Sequence, residues 1–522
     1  MLSSSPQPLF PQSAHDDETP PPPRDDTNGA VSVDEFLRLN FQSFTVRQLI
    51  QAILVSVPHF FDGQQTFISL FADAPPPQTQ RVCPTAAAAA NYRSHATTTT
   101  VTEWGLDCGT TSSLVAGLPA SSFFAGCLVG GFFLPALSDT WLGRKKLLFL
   151  SCFGMSVAAL TTAFSPNVWV YSALRLAAGV CRSSISTCVP VLLTECAGSR
   201  WRGRAAIVGF LAFSLGLLSL PGIAYANRYS SWRLLYIWTS IPSIIFCILS
   251  YPFVTESPRW LLLRGHRHQA AHVLATLSSP FTLRRSKTCS HNNNNNNTNI
   301  PEEPTTTNIA AAPSSSVKQL LGRRWARQRL AVVTVLALGT GLQFFVLLLG
   351  VGNLHHLSLY LGVALNGLLD VPAYALTFLL IETRGRRPVL LASCLTSGLC
   401  SFAYVAVGGE VGVVKVVVEL GALFCVCMAF NVLVIYTMEL FPTSVRNTAA
   451  AVGRQAIMVG AVISPLLVAG GRRKGDLVSY GAAGVVVVLC GLGVVWLPET
   501  KGLAISDTLD EQESRENNGG GV

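Results

Sequence analysis

Apolar stretches of about the length that crosses a bilayer recur along most of this 522-residue chain. A helix crosses the hydrocarbon core with ~20 residues. Runs of that order lie near 49–71, 113–137, 147–164, 168–193, 205–225, 233–254, 330–351, 356–381, 388–408, 411–438, 448–469 and 477–497. About twelve such runs leave little room for any architecture but a bundle of transmembrane helices. Composition agrees. Half of the residues are hydrophobic, mean hydropathy is +0.43, and only 12% are charged, where a soluble domain carries about 25%. That density supplies too little polar surface to keep so large a body in water. A soluble multidomain enzyme and a disordered chain are excluded, and the net charge of +9 does not by itself indicate nucleic-acid binding. The expected class is an all-α membrane protein.

Residues 1–46 are polar and Pro-rich, with Pro20 to Pro23 in a row, and lack the short apolar core of a signal peptide. They are expected to form a cytosolic tail. Residues 47–254 hold six runs, with a long outer connection at 72–112 after the first. Residues 255–329 make a second long connection, containing the tract Asn292 to Asn297; its part from 286 to 316, rich in Ser, Thr, Asn and Pro, reads as a disordered spacer. Residues 330–497 hold the other six runs, and 498–522 form a second cytosolic tail. The basic residues set the orientation. With the N-terminus inside, inner segments carry 26 of the 37 Lys and Arg, outer segments carry 8, and three Arg fall within spans. The basic inner surface then faces anionic lipid, and no nucleic-acid partner is needed to explain it.

Internal repetition divides the bundle. Asp139 precedes Gly143-Arg144-Lys145-Lys146 between spans 2 and 3; Glu382, 243 residues on, precedes Gly385-Arg386-Arg387 between spans 8 and 9. Glu195 and Arg202 follow span 4, and Glu439 and Arg446 follow span 10 at an offset of 244. Glu256-Ser257-Pro258-Arg259 follows span 6, and Glu499-Thr500-Lys501-Gly502 follows span 12 at an offset of 243. The chain is read as two homologous six-helix halves.

These residues resemble the major facilitator superfamily over roughly 47–505. Phe61-Asp62-Gly63-Gln64-Gln65-Thr66-Phe67, Thr102-Glu103-Trp104, Leu142-Gly143-Arg144-Lys145, Glu256 through Leu261, and Tyr436 through Thr443 are similar to the organic cation/carnitine transporter family, in its plant branch. The resemblance implies the major facilitator fold of about 12 transmembrane helices in two six-helix pseudo-repeats. It also implies a central cavity between the halves and alternating access by rocking of one half on the other. The expected function is secondary-active transport of organic cations or carnitine-like zwitterions. A proton-coupled sugar porter, which shares several loop motifs, and a substrate-sensing receptor that no longer transports are the alternatives.

The loop motifs have a direct physical reading. An acid at the inner end of one helix faces bases of the adjoining loop, and a gate needs bonds specific to one of its two states. The gating candidates are Asp139 with Gly143, Arg144 and Lys145, then Glu195 with Arg202 and Arg204. Their repeats are Glu382 with Arg386 and Arg387, then Glu439 with Arg446. Topology charge alone explains the bases but not the paired acids.

Ionisable groups inside spans are costly and are suspects for function. Span 1 carries Asp62 and Gln65. Span 8 carries Asn366, Asp370, Tyr374 and Phe378, each four residues apart and so on one helical face. A carboxylate with aromatic rings on one face suits a desolvated organic cation; pairing with an Arg of another helix is the other reading. Arg175 and Arg182 in span 4 could meet a substrate carboxylate or neutralise Asp62. Lys415 and Glu419 in span 10 are spaced for a local pair. Asn431, Tyr436, Gln343 and Arg454 complete the substrate-binding candidates. By resemblance, Met458 occupies a position where animal cation transporters of the family tend to carry an acid and anion or zwitterion members an Arg.

Most of the fourteen cysteines sit in or beside apolar runs, as packing residues do. Cys83 and Cys108 share the outer loop, where a disulfide or two free thiols remain alternatives. The sequon Asn296-Asn297-Thr298 falls on the cytosolic side and should be silent. No Walker A sequence or catalytic constellation stands out, and no cofactor or metal is expected. The expected partners are a small organic cation or zwitterion, the bilayer, and proton or sodium as coupling ion. The plasma membrane is the first expectation for location and the vacuolar membrane the second.

Overall fold

The computed structural model describes residues 45–75, 99–106, 112–137, 142–197, 202–277, 318, 320–351, 357–407, 412–442, 444–475, 477–502, 506 and 509–519. Twelve long helices account for most of them. The first six are α1 (Val46–Phe67), α2 (Ser112–Leu137), α3 (Gly143–Thr162), α4 (Val168–Glu195, with a short break after Arg182), α5 (Arg202–Ala226) and α6 (Trp232–Ser250). The second six are α7 (Arg324–Gly350), α8 (Leu359–Arg384), α9 (Arg386–Ala406), α10 (Gly412–Leu440), α11 (Arg446–Lys474) and α12 (Leu477–Trp496). Four short helices (Ser69–Ala72, Thr100–Glu103, Pro258–Leu263 and Arg267–Leu277) decorate the first half.

Local chemistry marks the boundaries. The Thr45 hydroxyl accepts from the Gln48 amide while the Gln48 side chain accepts from Thr45, a reciprocal cap on α1. Asn167, Ser231 and Ser358 cap α4, α6 and α8 with their side-chain oxygens. Gly385, at φ +94°, ends α8 and opens α9 in one residue.

Eleven of these helices are long and apolar enough to cross a membrane. The twelfth, α1, lowers its own hydropathy by carrying Gln48, Gln51, His59, Asp62, Gln64 and Gln65, all buried against the bundle. The hydrophobic outside belongs to residues such as Phe132, Phe133, Ile248, Leu249, Phe378 and Val417, the surface expected of a body solvated by lipid.

The two halves pack alike. In the first, α1 lies against α5 and α2 against α4; in the second, α7 lies against α11 and α8 against α10. The halves meet through α2 with α11 and α5 with α8, contacts that the same pseudo-twofold relates. At the α2–α4 crossing, a methyl group on Gly126 would stand 2.1 Å from the Leu176 carbonyl oxygen, and one on Gly179 would stand 2.0 Å from that of Phe123. Only glycine permits this approach, and it brings Phe123 within reach of the arginines of α4.

Candidate functional site

At the inner end, the end carrying the Gly-Arg loops, the two halves build the same lock. The Glu256 carboxylate accepts from the backbone amides of Arg144 (3.1 Å) and Lys145 (3.1 Å) at the start of α3. Its repeat, Glu499, accepts from the amides of Arg386 and Arg387 at 3.0 Å each. A carboxylate on a helix N-terminus meets both the free amides and the positive end of the dipole. Gly143 and Gly385 stand at φ +74° and +94°, with the glutamate oxygens where a side chain would be. Burial pushes the Glu256 carboxyl above the usual range, and its amide donors offset this only in part. At Glu499 burial also pushes upward, but the amides of Arg386, Lys501, Arg387 and Thr500 outweigh it and hold the group low.

The ion pairs of this end differ from the sequence expectation. Arg386 grips Glu439 with Nε and Nη2, both at 2.9 Å, and Arg144 approaches Glu195 at 3.7 Å. Each base thus reaches the acid at the end of α4 or α10, and Arg386 does so in place of Glu382, the acid preceding its own loop. The helix starts carrying Arg144 and Arg386 are pinned by Glu256 and Glu499, which aims both guanidinium groups across the bundle. Glu382 is exposed. Arg446 turns its Nε to the Phe441 carbonyl instead of Glu439, and Arg387 donates to the Val495 carbonyl at 2.6 Å. Lys145 stands over the Tyr251 ring at 4.4 Å. Asp139 and the side chains of Arg202 and Arg204 lie outside the described residues, as do Cys83, Cys108 and the sequon.

The charged groups of spans 1 and 4 meet inside the first half. Asp62, fully buried, receives Arg182 Nε on Oδ1, and His59, one turn before it, lies 3.7 Å from Oδ2. Arg175 donates to the Gln65 carbonyl and to Ser69 Oγ, both at 3.1 Å, and stacks on the Phe123 ring at 4.1 Å. The Gln65 amide donates to Thr239 at 3.0 Å. Asp73 accepts from Thr100 (2.7 Å) and Tyr171 (2.9 Å), and the Tyr171 hydroxyl meets that of Tyr236 at 2.8 Å. These groups cross-link α1, α4 and α6. Asp62, Gln65, Arg175 and Arg182, anticipated as substrate contacts with neutralisation of Asp62 by the span 4 arginines as the other reading, are engaged by one another within one half, Arg182 by Asp62 and Arg175 by the Gln65 carbonyl.

The outer loop helix rests on this network. Trp104 packs edge-on against Tyr171 and Trp232, while Glu103 accepts from Trp232 Nε1 (2.7 Å) and Arg233 (2.6 Å). In the second half, the Gln343 amide donates to Ser401 (2.6 Å) and Ser397 (3.3 Å), which holds it between α7 and α9. The Tyr436 hydroxyl donates to the Pro498 carbonyl, and the side chain is fully buried. The physical reason is that the backbone carbonyls just past the end of α12 have no helical donor. Lys415 and Glu419 do not pair; the ammonium lies over the Tyr404 ring at 5.1 Å.

A different set faces the seam between the halves. Asp370 of α8 accepts from Ser214 of α5 (3.3 Å) across the seam and from Cys427 of α10 (3.4 Å). Tyr374, one turn inward, is 41% exposed, and its ring stands 6.2 Å from that of Phe210 on α5. Asn366, one turn outward, is buried with neither its amide nitrogen nor its oxygen hydrogen-bonded. Asn431 is half-buried on α10. Arg454 of α11 donates to the Ser186 carbonyl of α4 at 3.2 Å, also across the seam. On the outer side, Phe71 stacks on Tyr360 (5.6 Å), which meets Tyr225 edge-on (5.5 Å). The i, i+4 stripe of α8 therefore spreads over two environments. Asn366 and Asp370 reach inward, whereas Phe378 is 69% exposed on the bundle surface.

Sequence reasoning missed His59, Asp73, Tyr171, Tyr236, Ser214 and Cys427 as members of these networks. His59 is the one with a visible signal, three residues before Asp62 on the same helical face. The others depend on helices distant in sequence.

Comparison with known proteins decides the family. A family profile described as "Sugar (and other) transporter" matches residues 76–511. The chain belongs to that family. Its relatives narrow the branch. The chain is 42% identical to organic cation/carnitine transporter 2 of Arabidopsis thaliana, over 93% of this chain and 94% of that protein. It is 39% identical to organic cation/carnitine transporter 3 of the same plant, over 98% of each. More distantly, it is 29% identical to solute carrier family 22 member 6 of Oryctolagus cuniculus, over 80% of this chain and 73% of that one. It thus groups with the organic cation/carnitine transporter family in its plant branch. In three dimensions it matches the xylose transporter XylE of E. coli in an inward-open conformation, with a TM-score of 0.63 over 90% of this chain and 99% of that one. At 16% identity this match speaks for the major facilitator fold alone. The protein is a multi-pass secondary transporter working by alternating access, not an enzyme.

Proposed function

We propose that this transporter carries organic cations or carnitine-like zwitterions across the plasma membrane, driven by an ion gradient or the membrane potential. The observation that carries the substrate class is Asp370. This carboxylate stands at the seam between the halves, bonded only to the neutral Ser214 and Cys427 among the described residues, with Tyr374 and Phe210 beside it. A desolvated cation meeting a carboxylate and an aromatic face gains about 2 kcal/mol from the ring alone. The names of the plant relatives support the same class. Arg454, on the facing side of the seam, is the group suited to a zwitterion's carboxylate. The Arg144–Glu195 and Arg386–Glu439 pairs, with Glu256 and Glu499 behind them, act as the inner gate, closed in one state and opened in the other.

The test is a radiolabelled uptake panel in proteoliposomes comparing carnitine, choline, a polyamine, tetraethylammonium and hexoses, with and without a proton gradient. Saturable uptake of a cation or carnitine is expected. Asp370→Asn, which removes the counter-charge and leaves the rings, is expected to weaken it about thirtyfold, the equivalent of about 2 kcal/mol for a charged partner. Saturable hexose uptake with no cation or carnitine uptake overturns the reading.

A further inference from the structure

The second half holds a carboxylate that neither the substrate site nor the inner gate uses. Glu419 of α10 is 1% exposed, and neither carboxylate oxygen receives a well-formed hydrogen bond. It lies seven residues from Gly412 at the start of α10, about 10 Å deep at the helical rise. The groups around it come from α7, α8, α9 and α12. Lys415, one turn outward, covers Tyr404 of α9, whose ring stacks on Tyr480 of α12 at 4.3 Å. The Tyr480 hydroxyl faces the carboxyl. From α9, Ser397 donates to the Ala422 carbonyl one turn inward (2.9 Å) and also receives the Gln343 amide of α7. The Gln343 carbonyl oxygen is buried without a donor. Asp370 of α8, bonded to Cys427, is two turns inward. An ionised carboxylate in such surroundings is a high-energy state, whereas the neutral acid is stable there.

Two further features distinguish this position. The repeat offset of 244 relates Glu419 to Arg175 and Tyr480 to Tyr236. In the first half the same place is therefore a cation, held through its two terminal nitrogens by the Gln65 carbonyl and Ser69. Moreover, Tyr480 sits on a π-helical turn, Leu477–Gly481, at the head of α12, while Tyr236 sits in a regular helix. Single π-turns recur where a side chain has been repositioned for function. Gly350 makes room for the Tyr480 hydroxyl, which lies 2.3 Å from where a methyl group on that glycine would be.

We propose that Glu419 is the proton-binding site of the transport cycle. It takes one proton from the outer side onto its carboxylate and carries it as the neutral acid through the state described here. It gives the proton up when rocking of the halves rearranges the α10–α12 contact. The inference rests on the reading of this protein as a carrier of organic cations or carnitine, and its test separates the two. In proteoliposomes, radiolabelled carnitine and tetraethylammonium are followed in equilibrium counterflow and in accumulation driven by an imposed proton gradient, with a trapped pH dye. Glu419→Gln is expected to retain counterflow while proton-driven accumulation and dye-detected proton entry fall at least tenfold. Glu419→Asp should restore part of both. Independently of any substrate, infrared difference spectra of the purified wild type should show the C=O stretch of a protonated carboxylic acid that Glu419→Gln lacks. Failure of every substrate to move in the wild type would refute the substrate class and leave the infrared result to decide the proton site. Identical carboxylic-acid bands in wild type and Glu419→Gln, unaltered proton-driven accumulation in the variant, or accumulation driven by sodium in place of protons would overturn the inference.

Discussion

The two halves share their helix contacts and their inner locks but carry opposite electrostatics in their interiors. In the first half each buried base has an acid or an acceptor: Arg182 meets Asp62, and Arg175 meets the Gln65 carbonyl and Ser69. In the second half the corresponding layer holds Glu419, and the seam holds Asp370, neither with a basic partner among the described residues. A buried pair with satisfied neighbours is stable in one arrangement, because separating the charges in low dielectric is costly. A buried carboxylate without a base can change its state by binding a proton or a cation. The comparison teaches that the buried bases of the first half are held in place by their partners, whereas Glu419 and Asp370 of the second half, on the proposals above, are the groups that bind.

The largest effect should come from halving a first-half pair. Asp62→Asn leaves Arg182 buried without its counter-charge, and a loss of about 3–5 kcal/mol is expected. Thermal unfolding in detergent should drop accordingly, and Asp62→Leu with Arg182→Leu should recover much of it. If the single variant is as stable as wild type, the first half is not held by this pair. The repeat-related positions give the next contrast. Arg175→Met removes the donors to Gln65 and Ser69 and should destabilise by about 1.5–3 kcal/mol, whereas Glu419→Gln should leave thermal stability within about 0.5 kcal/mol. Equal losses would erase the distinction between the halves.

The inner locks sharpen it from another side. Arg386 holds Glu439 through two hydrogen bonds of 2.9 Å, while Arg144 approaches Glu195 only to 3.7 Å. Arg386→Ala should therefore lower initial uptake by about tenfold or more at normal membrane expression, from the loss of charge-assisted bonds worth about 1.5–3 kcal/mol. Arg144→Ala should lower it less, and the reverse order would contradict the geometry. The locks should also differ in acid. The Glu499 carboxyl is held low, so its stabilising contribution is present above the ordinary glutamate range and is lost as pH falls through its folded value. Glu256 is pushed up by burial, so its ionised form opposes folding above that range and its protonation relieves the cost. Glu499→Gln should thus flatten the acid side of the pH–stability curve, and Glu256→Gln should not. The smallest effect is expected at the outer rim, where Glu103 and Arg233 are about a quarter to a third exposed. Glu103→Gln should cost no more than about 1 kcal/mol in thermal stability.

Much of the architecture was legible because it rests on local and periodic signals. Apolar runs mark eleven of the helices, and α1 was recognisable despite its buried glutamines. The repeat offset of about 243 joined the motifs around Arg144 and Arg386 before any contact was seen. Pairings were less legible. Glu195 and Glu439 each have a base seven residues downstream, yet Arg386 reaches Glu439 from a different loop, because Glu499 fixes the start of α9. Tyr436 looked like a cavity residue on span 10, but its hydroxyl meets the end of α12.

Chain length, hydropathy and repeated motifs determined by themselves that this protein is a twelve-helix, two-half membrane protein, because each helix must satisfy its own backbone in lipid; transport came from the family resemblance of its motifs. Which charges neutralise one another, and which carboxylates stand without a base, was decided only by the tertiary structure. Partner choice depends on the rotation and crossing of helices more than a hundred residues apart, as between Asp62 and Arg182, and no local pattern encodes that angle.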